Sequence, residues 1–174
     1  MTGVVWSAYF LLGMSMNSIN EATWPEILKV QSEAYVQVEP EALEVLKAKW
    51  LRSPDCCFVY CEGEHVLGYL LAHSWNSDVP PKLYQVLPSG SEGPILFLHD
   101  LALSKWAAGK GLGSLMVEHL LKVATALGFE RVRLVSIQAS DAFWRRFGFL
   151  EVADREVCAS YGDGAKIMER ALMV

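Results

Sequence analysis

The sequence predicts one α+β domain, a sheet layered with helices, and three observations carry that prediction. The chain has 174 residues, the length of a single domain able to bury a real core. Short β-rich runs and amphipathic helical stretches succeed one another in the order helix, helix, hairpin, strand, helix, strand, helix, strand, strand. No repeat, low-complexity segment or linker interrupts them. A composition that is 52% hydrophobic and 20% charged belongs to a folded chain and excludes a disordered one.

The first residues stand apart. "VVWSAYFLLGM" is apolar but too short to cross a bilayer, and it lacks both a basic segment before it and a convincing cleavage pattern. Residues 1–15 are therefore read as an N-terminal extension, either an over-extended start or a tail that is packed or disordered. Residues 16–174 form the domain.

Thr23 is the expected N-cap of a first helix, with Pro25 early in it and Ile27, Leu28, Val30, Ala34 and Tyr35 at helical spacing. "EPEALEVLKAKWL" predicts a second helix from about Pro40 to Arg52, which "SPD" ends. In "CCFVYCEGEHVLGYLLAH" two β-rich runs flank a polar, glycine-containing turn, a hairpin signal. Residues 74–94 carry Asn, Ser, Asp, Gly and four prolines, a loop of the length that often serves binding. "ILFLHDLALS" reads as a strand. After a glycine-rich turn, Leu112, Leu115, Met116, Leu120, Val123, Ala124 and Leu127 recur at helical spacing until Gly128 stops the helix. "RVRLVSI" predicts a buried strand, "SDAFWRRFG" a short helix, and "FLEVADREV" with "AKIMERALMV" a final antiparallel pair.

Charge and cysteine use exclude several functions. A formal net charge of -5 provides no general attraction to nucleic acid or an anionic membrane, so neither is an expected partner. Cys56, Cys57, Cys61 and Cys158 lack metal or disulfide spacing and read as reduced core thiols, which fits a cytoplasmic protein. His65, His73 and His119 fall in a turn, at a strand end and on a helix, and no metal set is assigned.

The turn "AAGKGLGSLM" is the most informative stretch. Neither the dinucleotide pattern G-x-G-x-x-G nor the Walker pattern fits its glycines. What remains is a strand, a glycine turn carrying Lys110, and a helix N-terminus whose unpaired N–H groups favour an anion. A tight connection holding no ligand is the other reading of this stretch.

"LHDLALSKWAAGKGLGSLMVEHLL" is similar to the acetyl-CoA-binding core of the GCN5-related N-acetyltransferase superfamily. That family's turn runs Arg or Gln, two residues, Gly, one residue, Gly or Ala. Gly111 and Gly113 match it, and Ala108 occupies the Arg/Gln position. "AFWRRFGF" resembles the second hallmark, through Phe143, Trp144, Gly148 and Phe149. The resemblance spans roughly residue 17 to the end. It implies a mixed, mostly antiparallel twisted sheet of six or seven strands with helices on both faces and the fourth and fifth strands splayed. It implies acetyl-CoA as cofactor and a primary amine of a small molecule or peptide as acceptor, attacking directly through a tetrahedral intermediate, with a homodimer frequent in the family. The implied cofactor residues are Leu101, Ala102, Leu103, Ala108, Gly109, Lys110, Gly111, Leu112, Gly113, Ser114, Phe143 and Trp144.

An alkyl amine with a pKa near 10.4 is almost wholly protonated at pH 7, a deficit of about 4.6 kcal/mol, so a base is needed. His99 is the candidate, since strand alternation sets it on one face with Phe97 and Leu101 while Asp100 points to the other. In "HDLAL" it resembles the histidine of arylalkylamine-type members, acting directly or through water. A hydrogen-bonded strand-edge histidine is the alternative. For the general acid, Trp144 stands where many relatives have tyrosine, and indole is no useful proton donor. Tyr161 is the substitute candidate, against a role as a packed loop aromatic. Trp75 and Tyr84 are weighed as acceptor-pocket walls, and Arg145 and Arg146 as either phosphate neighbours or a solvated helix face. A non-catalytic acyl-CoA sensor and a purely structural domain are the competing functions.

Overall fold

The computed structural model describes residues 13–173. Seven strands form one sheet: β1 (Met14–Ser18), β2 (Phe58–Glu62), β3 (His65–Trp75), β4 (Ile95–Leu103), β5 (Arg131–Ser136), β6 (Leu150–Glu151) and β7 (Lys166–Ala171). Their spatial order is β1-β2-β3-β4-β5-β7-β6. Every neighbouring pair is antiparallel except β4 with β5. A parallel pair needs a crossover, and the helix Leu112–Ala126 supplies it. The expected mixed, mostly antiparallel sheet is thus the one observed.

The helices are α1 (Trp24–Ala34), α2 (Leu43–Arg52), α3 (Leu112–Ala126) and α4 (Asp141–Arg145). On one face of the sheet, Leu112, Met116, Leu120 and Ala124 of α3 are buried against Leu70, Leu96 and Leu98. Each large side chain so buried contributes about 1.5–3 kcal/mol. On the other face, Trp24, Ile27, Val30 and Leu46 pack on Val59, Tyr69 and Leu71. Gly128 ends α3 as expected: at φ 80 its N–H reaches the Thr125 carbonyl, and the Phe129 N–H reaches that of Ala124.

Three boundaries differ from expectation. β1 pairs with β2 and takes in Met14 and Ser15, which the sequence assigns to the extension; the rest of that extension, residues 1–12, lies outside the described residues. The second helix begins at Leu43 instead of Pro40, leaving Glu41 in extended chain where its carboxylate reaches tertiary partners. The strand expected in "FLEVADREV" shrinks to Leu150–Glu151, and Asp154 at φ 61 turns the chain away. Thr23 precedes α1 as expected, yet its hydroxyl bonds back to Asn20, whose side chain caps a 3₁₀ turn, Glu21–Thr23, instead.

Candidate active site

β4 and β5 diverge. Their parallel register runs from Ile95 opposite Arg131 to Leu98 opposite Leu134 and goes no further, so the splay expected of the fourth and fifth strands is present. Beyond Leu98 the side of β4 turned toward β5 carries no strand ladder among the described residues, while its other side stays paired to β3. An extended chain laid there meets free main-chain donors and acceptors. The cleft that opens encloses about 400 Å³.

A β-bulge decides which side chains serve this cleft. Leu71 lies opposite Asp100 and Ala72 opposite Leu98, so His99 is the extra residue of β4. The bulge corrects the alternation expected here. Leu98 and Leu101 share the α3 side, whereas the His99 imidazole meets Glu41 and the Asp100 carboxyl meets Tyr35 and Tyr69 on the opposite side. His99 and Asp100 are neighbours there, and Leu101 does not accompany them.

A buried polar cluster results. His99 Nε2 is hydrogen-bonded to Glu41 Oε1. Glu41 Oε2 accepts the Tyr84 N–H at 2.8 Å and lies 3.7 Å from Lys49 Nζ. Burial alone would raise the Glu41 pKa, but His99, Lys49 and the Tyr84 amide outweigh it and hold the carboxyl down to about 2. Glu41 is therefore ionised and takes no proton at neutral pH. Its charge holds the shared proton of the Glu41–His99 hydrogen bond on His99 Nε2. Nδ1 is buried and has no protein partner, and the imidazole is 2% exposed.

The second acid is held differently. Asp100 accepts hydroxyl bonds from Tyr35 and from Tyr69, the latter at 2.5 Å. Burial raises its pKa against those bonds and the nearby His99. Lys49 is fully buried; burial lowers its pKa while Glu41 and Asp100 oppose the shift. Beside His99, only Lys49 of these residues carries a signal in the sequence, which the sequence reading does not use. Lys49 follows Val45 by four and Leu46 by three, a cation in an apolar stripe.

The structure gathers His99, Leu101, Ala102, Leu103, Gly113, Phe143, Trp144 and Tyr161 around the one cleft. Ala108, Gly109, Lys110, Gly111, Leu112 and Ser114 form the turn and first residues of α3 beside it. Gly111, at φ 77, begins that helix without a side-chain cap, a conformation that costs other residues about 1–2 kcal/mol. The first amides of α3 thus have no intrahelical or capping acceptor. Arg146 donates to Ser114 Oγ at 3.1 Å, which brings a cation to this N-terminus, while Arg145 pairs with Asp141.

Tyr161 donates its hydroxyl to the Pro81 carbonyl, and burial, with Glu41 and Cys158, raises its pKa well above the usual range. Tyr84 lines the cleft at φ 66 with its amide on Glu41 and its hydroxyl on the Glu39 carbonyl, 3.1 Å away. Trp75 does not line it: its ring belongs to a separate core cluster and its Nε1 donates to Val79. Trp144 Nε1 donates to Ser140. Cys56, Cys57 and Cys61 are buried thiols, but Cys158 is exposed, contrary to the expectation of four core thiols. Among the described residues no cluster of three or more His, Cys, Asp or Glu is placed for a metal ion, and no helix is long and apolar enough to cross a membrane.

His73, behind this cluster, makes a stability prediction. Its Nδ1–H donates to the Ser74 carbonyl, and burial lowers its pKa to about 3 against that bond. The unfolded chain binds this proton below pH 6.5 and the folded one does not, so stability is complete above 6.5 and falls as pH drops toward 3. From pH 6.5 to 4.5 the loss is about 2.3 kcal/mol. Urea unfolding of wild type and His73→Phe across that interval checks it: the variant's pH slope should be shallower, and equal slopes would refute the assignment.

Fold and site together define an acyl-transfer protein of the coenzyme A-binding type. The chain belongs to the acetyltransferase (GNAT) family, whose model matches residues 24–149. No curated protein matches its sequence, but solved structures match its fold. The ribosomal-protein-S18-alanine N-acetyltransferase of Escherichia coli shares 17% identity, with a TM-score of 0.70 over 92% of this chain and 95% of that one. Naa50 of Arabidopsis thaliana, in complex with the bisubstrate analogue CoA-Ac-MVNAL, shares 11%, with a TM-score of 0.66 over 91% and 99%. N-acetylglutamate synthase of Neisseria gonorrhoeae, complexed with coenzyme A and N-acetyl-glutamate, shares 15%, with a TM-score of 0.70 over 92% of this chain and 35% of that one. Acetyl-CoA is the family's cofactor, and the residues here suit it. The uncapped α3 N-terminus offers amides for the diphosphate, and the ladder-free edge of β4 offers main chain for the pantetheine arm.

Proposed function

We propose that this chain is an N-acetyltransferase that moves an acetyl group from acetyl-CoA to a primary amine of a small molecule or peptide. The observation that carries the reading is the ionised Glu41 fixed on His99 Nε2 at the mouth of the strand splay. A non-catalytic acyl-CoA sensor needs the α3 N-terminus, and Glu41 for Lys49, but no imidazole on Glu41.

When bound, acetyl-CoA supplies the acetyl group as an activated thioester. Gly111, Leu112, Gly113 and Ser114 present amides to its diphosphate, with Ala108, Gly109 and Lys110 shaping the turn. Leu101, Ala102 and Leu103 align the pantetheine arm along β4, and Phe143 and Trp144 close the far wall. His99 Nδ1 takes the acceptor's proton through water, and Glu41 stabilises the imidazolium that forms. Tyr161 holds its phenolic proton at neutral pH and would be the side chain to protonate the leaving sulfur, with water as the other donor.

Calorimetry with acetyl-CoA, and thiol release across a panel of amines, test the reading. A Ser114→Glu variant isolates the diphosphate contact. A carboxylate in the first turn favours the helix but repels the cofactor's phosphates. Acetyl-CoA affinity should fall by about tenfold or more with the thermal midpoint unchanged or higher. Unaltered affinity would remove α3 from the cofactor site.

A further inference from the structure

We propose that the acceptor end of the cleft takes a primary amine carried on an apolar or aromatic body with no carboxylate beside the amine, and that it rejects free α-amino acids; this rests on the transferase reading above. The acceptor end is walled by Val38, Pro40, Leu83, Tyr84 and Tyr161, an apolar and aromatic surface. Apart from His99, its titratable groups are carboxyls and phenols. Glu39, Glu41 and Asp100 line the cleft, and no lysine or arginine does so among the described residues.

The two cations that act on His73 behind the cleft, Lys49 and Arg52, are already committed. Lys49 is wholly buried behind Glu41. Arg52 is committed to the Pro88 carbonyl, the Ser91 hydroxyl and, at 3.6 Å, the Glu92 carboxylate. A site that selects an α-amino acid must pair the carboxylate next to its amine, most readily with an arginine fork. Here that carboxylate would enter a cleft lined with like charge and find no donor cation. An ammonium group arriving before deprotonation meets the opposite situation: the exposed Glu39 draws it inward. The apolar wall then receives the remainder of the molecule, so the cleft discriminates through repulsion as well as attraction.

A matched set of probes tests this: phenethylamine, L-phenylalaninamide and L-phenylalanine, which share a ring and an amine and differ in the neighbouring group. Their binding to the protein saturated with coenzyme A is measured by calorimetry, and their turnover with acetyl-CoA by thiol release. The amine and the amide should bind about 30-fold or more tightly than the amino acid. Glu39→Lys should narrow that ratio by about threefold or more. Equal or tighter binding of L-phenylalanine, or no binding by any of the three, would overturn the proposal. If the three bind in the expected order yet no thiol is released, the acceptor class stands and the transferase reading falls.

Discussion

Replacing His99 with alanine is expected to lower kcat/KM for amine acetylation at pH 7 by about 10²–10⁴-fold, while acetyl-CoA affinity stays within about threefold. The expectation follows from one tautomer. Ionised Glu41 keeps a proton on His99 Nε2, and in the proposed mechanism Nδ1 is the atom that accepts the amine's proton. Without it, the acceptor must reach the site already neutral, which at pH 7 is a rare species. Raising the pH toward the acceptor's own pKa should therefore recover much of the lost rate. Full activity of the variant at pH 7 would eliminate His99 as the base without touching the family assignment. A deficit that persists unchanged at high pH would assign His99 to positioning.

Replacing Glu41 with alanine is expected to cost about 3–5 kcal/mol of stability, because it strands a fully buried Lys49 without its counter-charge. For a domain of this length that corresponds to a fall in thermal midpoint of about 6–20 °C. The Tyr84 amide loses its acceptor in the same step. Lys49→Met in the Glu41→Ala background should return most of the stability, since the orphaned charge is then absent. A midpoint lowered by no more than about 2 °C in the single variant would mean that the pair contributes little. The wild-type pH response follows from the same carboxyl. Its pKa drops from 4.5 unfolded to about 2 folded, so its contribution is complete above 4.5 and is lost as pH falls toward 2. The loss over that interval is about 3 kcal/mol. This window overlaps that of His73 between pH 4.5 and 3, so acid titration of the Glu41→Ala and His73→Phe variants beside wild type separates the two.

The sequence by itself determined whatever depends on neighbours along the chain. The apolar stripe of α3, the stop at Gly128, the hairpin around Gly63 and the glycine turn ahead of α3 are local statements about periodicity and backbone freedom, and they stand in the structure except that Leu115 and Leu127 of the expected stripe are exposed. Tertiary structure alone decided the polar cluster. Strict alternation separates His99 from Asp100, and only the pairing of β4 with β3 reveals the bulge that sets them side by side. Glu41 lies 58 residues from His99, and within its own segment it is one more acidic residue before a helix. Lys49 reads as a solvated helix cation until α2 is docked with that face inward. Periodicity is encoded in consecutive side chains, whereas a buried charge is tolerated only if a distant partner meets it, and that partner is chosen by how the sheet folds.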